Sequence, residues 1–474
     1  MNDASLKSCD VLVAGSGLAG LAAGVSAIER CPGLDVRVAC QRPGPSGSSF
    51  TNRNDSLGMV VCRNGAERDA FVNAAQNLAG PGTLRESLVR IMARASETCF
   101  LNLVETGFRF RADGSENLLR VPCCFLREPP LAFVFDHLRS AFDAMKRRFL
   151  SSGGTLVSGI CLKDLVRDDQ GNIQGALFEE SETGRHLAVR SKATVLATGG
   201  AAGLFHRHLS AGENLGFATA LMAGCGVPLV NMPFVQFLWV DTKTLEHWPC
   251  WDLARPGVRV GPSDIQPPPE IKALCDQRSR HVPMAHGLED SALDRFLLSV
   301  RNPDGTVSIW SPEKGRFTVA AYAHAMNGGA AIDEDGRTSL EGLFACGECA
   351  GGMHGANRVG GAMVLATQVF GSRAGAAAAE FAAYQSRSPG RGFSATAQNR
   401  LAGFQRDDRE WLSGLSTVRQ ILDTIAGPWP SPGLAEADRK LARLRETARD
   451  WRLKLTLEAA RTITGAFIKP VLTA

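Results

Sequence analysis

The chain opens with a short apolar run, Asp10-Val-Leu-Val-Ala14, that passes directly into glycine. A continuous apolar run of this length suits a strand buried on both faces of a parallel sheet. Leu18 to Arg30 carries apolar positions at helical spacing and stops at Cys31-Pro32-Gly33. Val36 to Cys40 reads as a second strand, so the two strands and the helix between them form a βαβ unit. Gly44 to Asn54, rich in Gly, Ser and Asn, is a loop, and residues 66–106 have helical spacing. Leu156 to Glu180 alternates as a β-meander with a turn at Asp168-Asp-Gln-Gly171. Lys192 to Gly200 is another buried strand ending in a glycine pair, and Asn214 to Gly224 is a helix.

After Asn231 the pattern breaks. Residues 232–316 concentrate prolines, tryptophans and unpaired-looking charges, including Pro267-Pro-Pro269, and read as an inserted domain. The strand-turn pattern resumes at Phe317, Gly342 to Gly347 is again a strand running into glycine, and Val359 to Ala383 is a long helix whose Ala and Gly content implies close packing. Pro389 to Ala395 is a linker, and residues 396–474 are mostly helical with a break at Pro428-Trp-Pro-Ser-Pro432. The expected organisation is therefore α/β. A Rossmann-like nucleotide-binding domain with a parallel sheet and a β-meander spans 1–231 and 317–388. An inserted domain covers 232–316, and a helical segment covers 389–474.

Composition narrows the function classes. With 474 residues and 44% hydrophobic content the chain can build more than one core. A net charge of +4 without a clustered basic face gives no case for nucleic acid. No basic leader precedes an apolar run and no segment reaches ~18 uninterrupted apolar residues, so no transmembrane segment and a cytoplasmic setting are expected. Thirteen scattered cysteines fit reduced thiols. Cys123-Cys124 has no matching pair at metal-ligand spacing, so no metal is expected.

Gly15-x-Gly17-x-x-Gly20 sits between a strand and a helix, where backbone N–H groups and a helix N-terminus meet a pyrophosphate. The same glycines also suit a bare tight βα turn, and the strand–helix setting favours the nucleotide reading. The acidic residue expected about 20 residues further on is absent; Cys40-Gln41 stands there, and Gln41 can still hydrogen-bond a ribose hydroxyl.

Four separated segments, in order, resemble the flavoprotein family of succinate dehydrogenase, fumarate reductase and L-aspartate oxidase. They are Ala14-Gly-Ser-Gly-Leu-Ala-Gly20; Leu196-Ala-Thr-Gly-Gly200; Phe234-Val-Gln-Phe237; and a stretch from Ala323-His324 through Gly347-Glu348 to His354-Gly-Ala-Asn-Arg358 and Val369-Phe-Gly371. The resemblance covers most of residues 8–380 and implies an FAD domain, a mobile capping domain inserted into it, and a helical C-terminal domain. It implies that FAD is held by Gly15, Ser16, Gly17, Ala19 and Gly20, by Gln41 and Arg42, by Ser48 and Ser49, and by Ala197, Thr198 and Gly199. Gly347 and Glu348 would meet its ribityl or pyrophosphate region. Gly361 and Val364 would start a helix aimed at the flavin. Residues 44–58 contain no histidine, so the FAD is expected to be non-covalent.

The resemblance further implies hydride transfer between the flavin and a small carboxylate. Arg358 matches a carboxylate-binding arginine, His324 matches a substrate histidine, and His354 shares the Arg358 motif. Where another histidine is expected after Phe237, Leu238 and Trp239 stand instead, giving an apolar wall. The expected substrate therefore keeps one carboxylate on Arg358 and turns a less polar group to Leu238 and Trp239. Arg278, Arg280 and Arg295 are candidates for the proton-donor arginine, with Arg295 preferred from Asp294-Arg295 at a helix start. Cys346-Gly-Glu-Cys349 reads either as a redox dithiol or as two small hydrophobes. Besides the enzyme, two readings remain: an electron-transfer subunit serving a redox partner protein, and a flavin-binding structural or sensory protein.

Overall fold

The computed structural model describes residues 5–52, 57–115, 117–385 and 393–465. Its main sheet has seven strands. Thr155–Ser158, Val36–Cys40, Ser5–Ala14 and His186–Leu196 lie side by side and parallel. His186–Leu196 is the fork of the fold. One edge pairs along its length with the first strand. The other edge pairs antiparallel with Ile173–Glu180 in its first half and parallel with Leu343–Ala345 in its last three residues. The meander Ile160–Arg167 and Ile173–Glu180 thus grows from the strand that also carries the nucleotide-binding edge.

The helix Leu18–Arg30 and the strand Val36–Cys40 have the bounds read from the sequence. The helical stretch 66–106 is two helices, Gly65–Ala79 and Glu86–Thr106, because Gly80-Pro81-Gly82 cannot continue the first. The 44–54 loop contains one helical turn, Gly47–Phe50. The linker expected at Pro389 to Ala395 lies mostly outside the described residues, and Phe393 already belongs to the helix Phe393–Ala402.

The inserted region has its own four-stranded sheet, formed by Val235–Asp241, Gly315–Met326, Val307–Ser311 and Arg259–Val260. Phe317 lies inside the long strand of that sheet. The expected return to the nucleotide-binding fold at 317 is therefore corrected to a point beyond Met326. Alternation along Gly315–Met326 marks a strand but not which sheet it joins.

Helix Ala362–Tyr384 packs against Leu18–Arg30 at backbone contact. A Cβ on Gly375 would lie 2.0 Å from the Ala23 carbonyl oxygen, and one on Gly371 would lie 2.7 Å from that of Ala19. The C-terminal helices are tied to the meander at a buried ion pair within it. Lys163 Nζ donates to Glu179 at 2.8 Å, and Trp451 Nε1 donates to the same carboxylate oxygen at 2.9 Å. Because the obstacle at Gly375 is backbone, Gly375→Val cannot be relieved by a rotamer change. It is expected to lower stability by about 3 kcal/mol, read as a fall in the thermal midpoint of the FAD-loaded protein.

Candidate active site

A cleft opens where the strand Ser5–Ala14 ends. Gly15 takes φ +115°, and a Cβ there would lie 2.2 Å from the Ala197 carbonyl oxygen. Only glycine lets the turn touch the end of the neighbouring strand. The following helix begins at Leu18 with Gly17 as its extended N-cap and no side-chain cap, so its first N–H groups face the cleft. Gly15, Ser16, Gly17, Ala19, Gln41, Ser48, Ser49, Ala197, Thr198, Gly199, Gly347 and Glu348 line this one cleft. Gly20 lies behind it, where a Cβ would meet the Gly15 carbonyl oxygen. Arg42 reaches the rim and pairs with Glu213 at 3.0 Å.

Ser16 Oγ and Thr198 Oγ1 are buried with no hydrogen-bond partner. Orphaned hydroxyls, a free helix N-terminus and a glycine cradle together fit the pyrophosphate and sugar of a dinucleotide. Asn214 donates to Ser48 Oγ at 2.7 Å, and Ser48 donates to Glu348 at 3.0 Å. The Met326 N–H donates to the other Glu348 oxygen at 2.8 Å. Burial nevertheless raises the Glu348 carboxyl above its ordinary value.

Sequence reading missed Glu213 and Asn214 in this cleft. An acid does line the cleft, but from a segment far along the chain: Glu213, next to Arg42. No spacing rule anchored on the glycine motif reaches it; Glu213-Asn214 just before a helix was the available signal.

Beyond Glu348, a second cluster surrounds Arg358. Its side chain is buried; Nε donates to Asn327 Oδ1 at 3.3 Å and one terminal nitrogen donates to Gln236 Oε1. Among the described residues no carboxylate lies within ion-pair distance of it. Burial lowers its pKa to about 10, although Glu348 and Cys124 act in the opposite direction. His324 and His354 feel the same cation. Burial and Arg358 lower His324 to about 4 and hold His354 well below its ordinary value. Both rings are therefore neutral near pH 7, and His324 Nδ1 and His354 Nε2 have no hydrogen-bond partner. Gln236 and Asn327, which hold the guanidinium, do not stand out in the sequence.

The remaining expectations change. Arg295 is on the exposed face of the helix Ser291–Ser299, because the neighbouring Asp294 turns inward. Between residues 232 and 316 the wholly buried arginine is Arg278, paired with Asp294 at 3.0 Å, and Arg280 is exposed. Successive residues of a strand face opposite sides, so Leu238 and Trp239 do not form one wall. Leu238 packs with Leu209, Val240, Ala320 and Tyr322. Trp239 enters the main core and donates from Nε1 to Asp294 at 2.9 Å. Helix Ala362–Tyr384 starts one residue after Gly361, which takes φ +85°. Val364 is buried in its first turn. Cys346 and Cys349 are both buried. Cys349 Sγ lies 3.1 Å from the Leu196 carbonyl oxygen, and burial pushes its thiol up to about 12, which suits a small hydrophobe.

His286 joins the cluster to the C-terminal region. Its Nδ1 accepts from the Trp429 N–H at 2.8 Å, and its Nε2 lies 3.0 Å from the Val235 carbonyl oxygen. Its own N–H donates to Asn357, the neighbour of Arg358. This network fixes the neutral Nε2–H tautomer, and burial lowers the ring from 6.5 to about 4. The unfolded chain therefore binds more protons than the native one between those values. Stability is expected to fall as pH drops from 6.5 toward 4, by about 2 kcal/mol at pH 5 from this ring. Thermal midpoints at pH 7 and pH 5 check this: His286→Asn should show a clearly smaller drop than the natural protein.

Residues 10–247 and 275–364 match the family model described as an FAD binding domain. A fumarate reductase (CoM/CoB) polypeptide from Methanothermobacter marburgensis is 25% identical, over 85% of this chain and 78% of that protein. L-aspartate oxidase from Halobacterium salinarum is 28% identical, over 80% of this chain and 77% of that protein. In fold, Sdh1 of Mycobacterium smegmatis superposes with a TM-score of 0.75 at 21% identity, covering 98% of this chain and 87% of that one. Quinol fumarate reductase FrdA of E. coli gives 0.72 at 18% identity, covering 97% and 89%. With a nucleotide cleft of this build and a family match over more than half its length, the chain belongs to the FAD-binding flavoprotein family of succinate dehydrogenase, fumarate reductase and L-aspartate oxidase, and is an FAD-dependent oxidoreductase.

Proposed function

We propose that this flavoprotein exchanges hydride between FAD and a small organic acid held through a single carboxylate by Arg358. The observation that carries the reading is a buried guanidinium with no carboxylate in ion-pair range among the described residues, steadied only by amide oxygens of Gln236 and Asn327. A buried charge costs several kcal/mol unless it is paired, and a carboxylate fits the guanidinium fork. His324 and His354, neutral and each with one unpartnered nitrogen, add two polar contacts beside it. Leu238, on the strand that carries Gln236, packs with Leu209, Val240, Ala320 and Tyr322, and in this reading a second carboxylate would need a donor there. Leu238 offers none, and a diacid would leave a polar group unpaired there.

The bound FAD supplies the hydride acceptor or donor. This chain's residues hold it without a covalent bond: Gly15 to Gly17 and the helix N-terminus take the pyrophosphate, and Glu213 beside Arg42 offers an acceptor to a ribose hydroxyl. Relatives named as one component of a larger enzyme, the Methanothermobacter protein among them, favour a partner protein as the source or sink of electrons. No helix among the described residues is long and apolar enough to cross a membrane.

Two measurements test the reading. Acid precipitation is expected to leave all flavin colour in the supernatant; colour in the pellet excludes non-covalent FAD. Anaerobic reoxidation of the dithionite-reduced protein by crotonate, cinnamate and fumarate should favour a mono-acid over the diacid. Arg358→Met should lose about 10³-fold in rate while keeping its FAD. Equal rates with mono-acid and diacid rule out the single-carboxylate reading.

A further inference from the structure

A guanidinium has two edges able to meet a carboxylate, and Arg358 uses them differently. Nε donates to Asn327 Oδ1 at 3.3 Å and Nη2 donates to Gln236 Oε1. Nε and Nη2 share the side edge, so that edge is closed by the two amides. The end edge, formed by Nη1 and the second hydrogen of Nη2, donates to nothing among the described residues. His324 and His354 feel the same cation, and their buried Nδ1 and Nε2 have no hydrogen-bond partner. Those two orphaned nitrogens are an independent mark of a polar gap beside the guanidinium.

Both amides turn oxygen to the arginine, because an amide nitrogen cannot accept from a guanidinium. Asn327 Nδ2 donates the other way, to the Ala356 carbonyl oxygen at 3.1 Å, and the Asn327 N–H donates to the Phe234 carbonyl oxygen at 3.0 Å. Gln236 is 2% exposed on strand Val235–Asp241, and its strand partner Ala325 lies two residues before Asn327. The two oxygens therefore reach Arg358 from neighbouring strand ends. Glu348, the carboxylate that acts on Arg358 from beyond ion-pair range, is committed to the Met326 N–H and to Ser48. Glutamine and glutamate have the same shape. The chain thus meets a buried cation with a neutral oxygen where a carboxylate of equal size would pair with it.

Resting on the functional reading above, we propose that Gln236 is a specificity-determining residue of this site: its neutral amide, with that of Asn327, positions the Arg358 guanidinium without cancelling its charge, and so keeps the end edge open to one carboxylate of the substrate. An acid on that edge accepts two parallel N–H···O bonds, one from each terminal nitrogen. Gln236 acts through Arg358 and need not touch the reacting atoms. The choice of an anion over an uncharged acyl group of the same shape, such as an amide, rests on the charge that residue 236 withholds. A carboxylate at that position would pair with the guanidinium and meet the bound acid as a like charge, which penalises the acid and spares the amide.

The test is calorimetric titration of the full, oxidised, FAD-loaded chain with crotonate and crotonamide, which share a carbon frame and differ in charge. The natural protein should bind crotonate about 100-fold more tightly than crotonamide, the ordinary worth of a charged hydrogen-bonded contact. Gln236→Glu should cut that preference by about 10-fold or more, by weakening crotonate while leaving crotonamide nearly unchanged. Gln236→Met, which removes the oxygen and adds no charge, should keep the preference for crotonate. The new carboxylate also supplies the charge that Arg358 lacks. Gln236→Glu should therefore load FAD and, without added ligand, melt at or above the midpoint of the natural protein. A glutamine with a merely structural role predicts the reverse, a lower midpoint and equal losses for both ligands. A smaller cut in preference, failure to load FAD or a lower midpoint in Gln236→Glu overturns the proposal and leaves the functional reading intact. So does an equal cut in Gln236→Met, which would make the oxygen rather than the charge the determinant. If the natural protein binds crotonamide as tightly as crotonate, or binds neither, the functional reading fails and this assignment fails with it.

Discussion

A guanidinium taken out of water forfeits hydration worth several kcal/mol, which must be returned by opposite charge or by hydrogen bonds. Arg358 receives only part of that return, from the side-chain oxygens of Gln236 and Asn327. Three regions of the fold are needed to hold it in this state. Gln236 comes from the first strand of the inserted sheet. Asn327 directly follows that sheet's long strand. The arginine itself precedes the helix that packs against the nucleotide-binding unit. The strand partner of Gln236 is Ala325, and a bulge after it leaves His324 as the extra residue beside the guanidinium. A carboxylate bound as proposed would return the remainder.

The same chain of contacts ties the inserted region to the C-terminal one. Asn357 donates to the His286 and Leu78 carbonyl oxygens and accepts from the His286 N–H. His286 in turn accepts from Trp429. Trp429 lies beyond the helix Asp408–Asp423, so the C-terminal segment reaches within two side chains of Arg358. Behind this lies a second charge cluster, Arg278 with Asp290 and Asp294, also wholly buried. It differs from the first in that its guanidinium has carboxylates within ion-pair distance. Among the described residues Arg278 has carboxylates within ion-pair distance and Arg358 has none, a contrast that supports the proposed role of Arg358.

How much of this is legible in the sequence depends on the range of the interaction. Leu18–Arg30 and Val36–Cys40 can be read at their full bounds because local periodicity, a proline-glycine stop and a glycine turn settle them. The Gly80-Pro81-Gly82 break is equally local but is masked by a strong helical pattern on either side. Strand Gly315–Met326 is visible as a strand and yet belongs to a different sheet from the one expected, since alternation carries no information about a partner strand. Asp294-Arg295 illustrates the limit at the site. A helix start puts one charge in and its neighbour out, and the one-letter string does not say which. Asp294 goes in, drawn by Trp239 and Arg278, which leaves Arg295 in water.

Identity near one fifth to the solved neighbours coexists with superposition over almost the whole chain, and the two sites explain why. The nucleotide cleft is built from backbone: a glycine turn, a helix N-terminus and the ends of three parallel strands. Such a site survives wide change in side chains so long as Gly15 and its like stay small. Arg358, the amides that steady it and the apolar face of Leu238 act through side chains alone. Each can be exchanged without disturbing the sheet beneath. Cofactor use thus follows the fold, whereas in the proposed reading the choice of acid rests on the handful of side chains around Arg358, near where the Met326 N–H joins the second sheet to Glu348 in the nucleotide cleft.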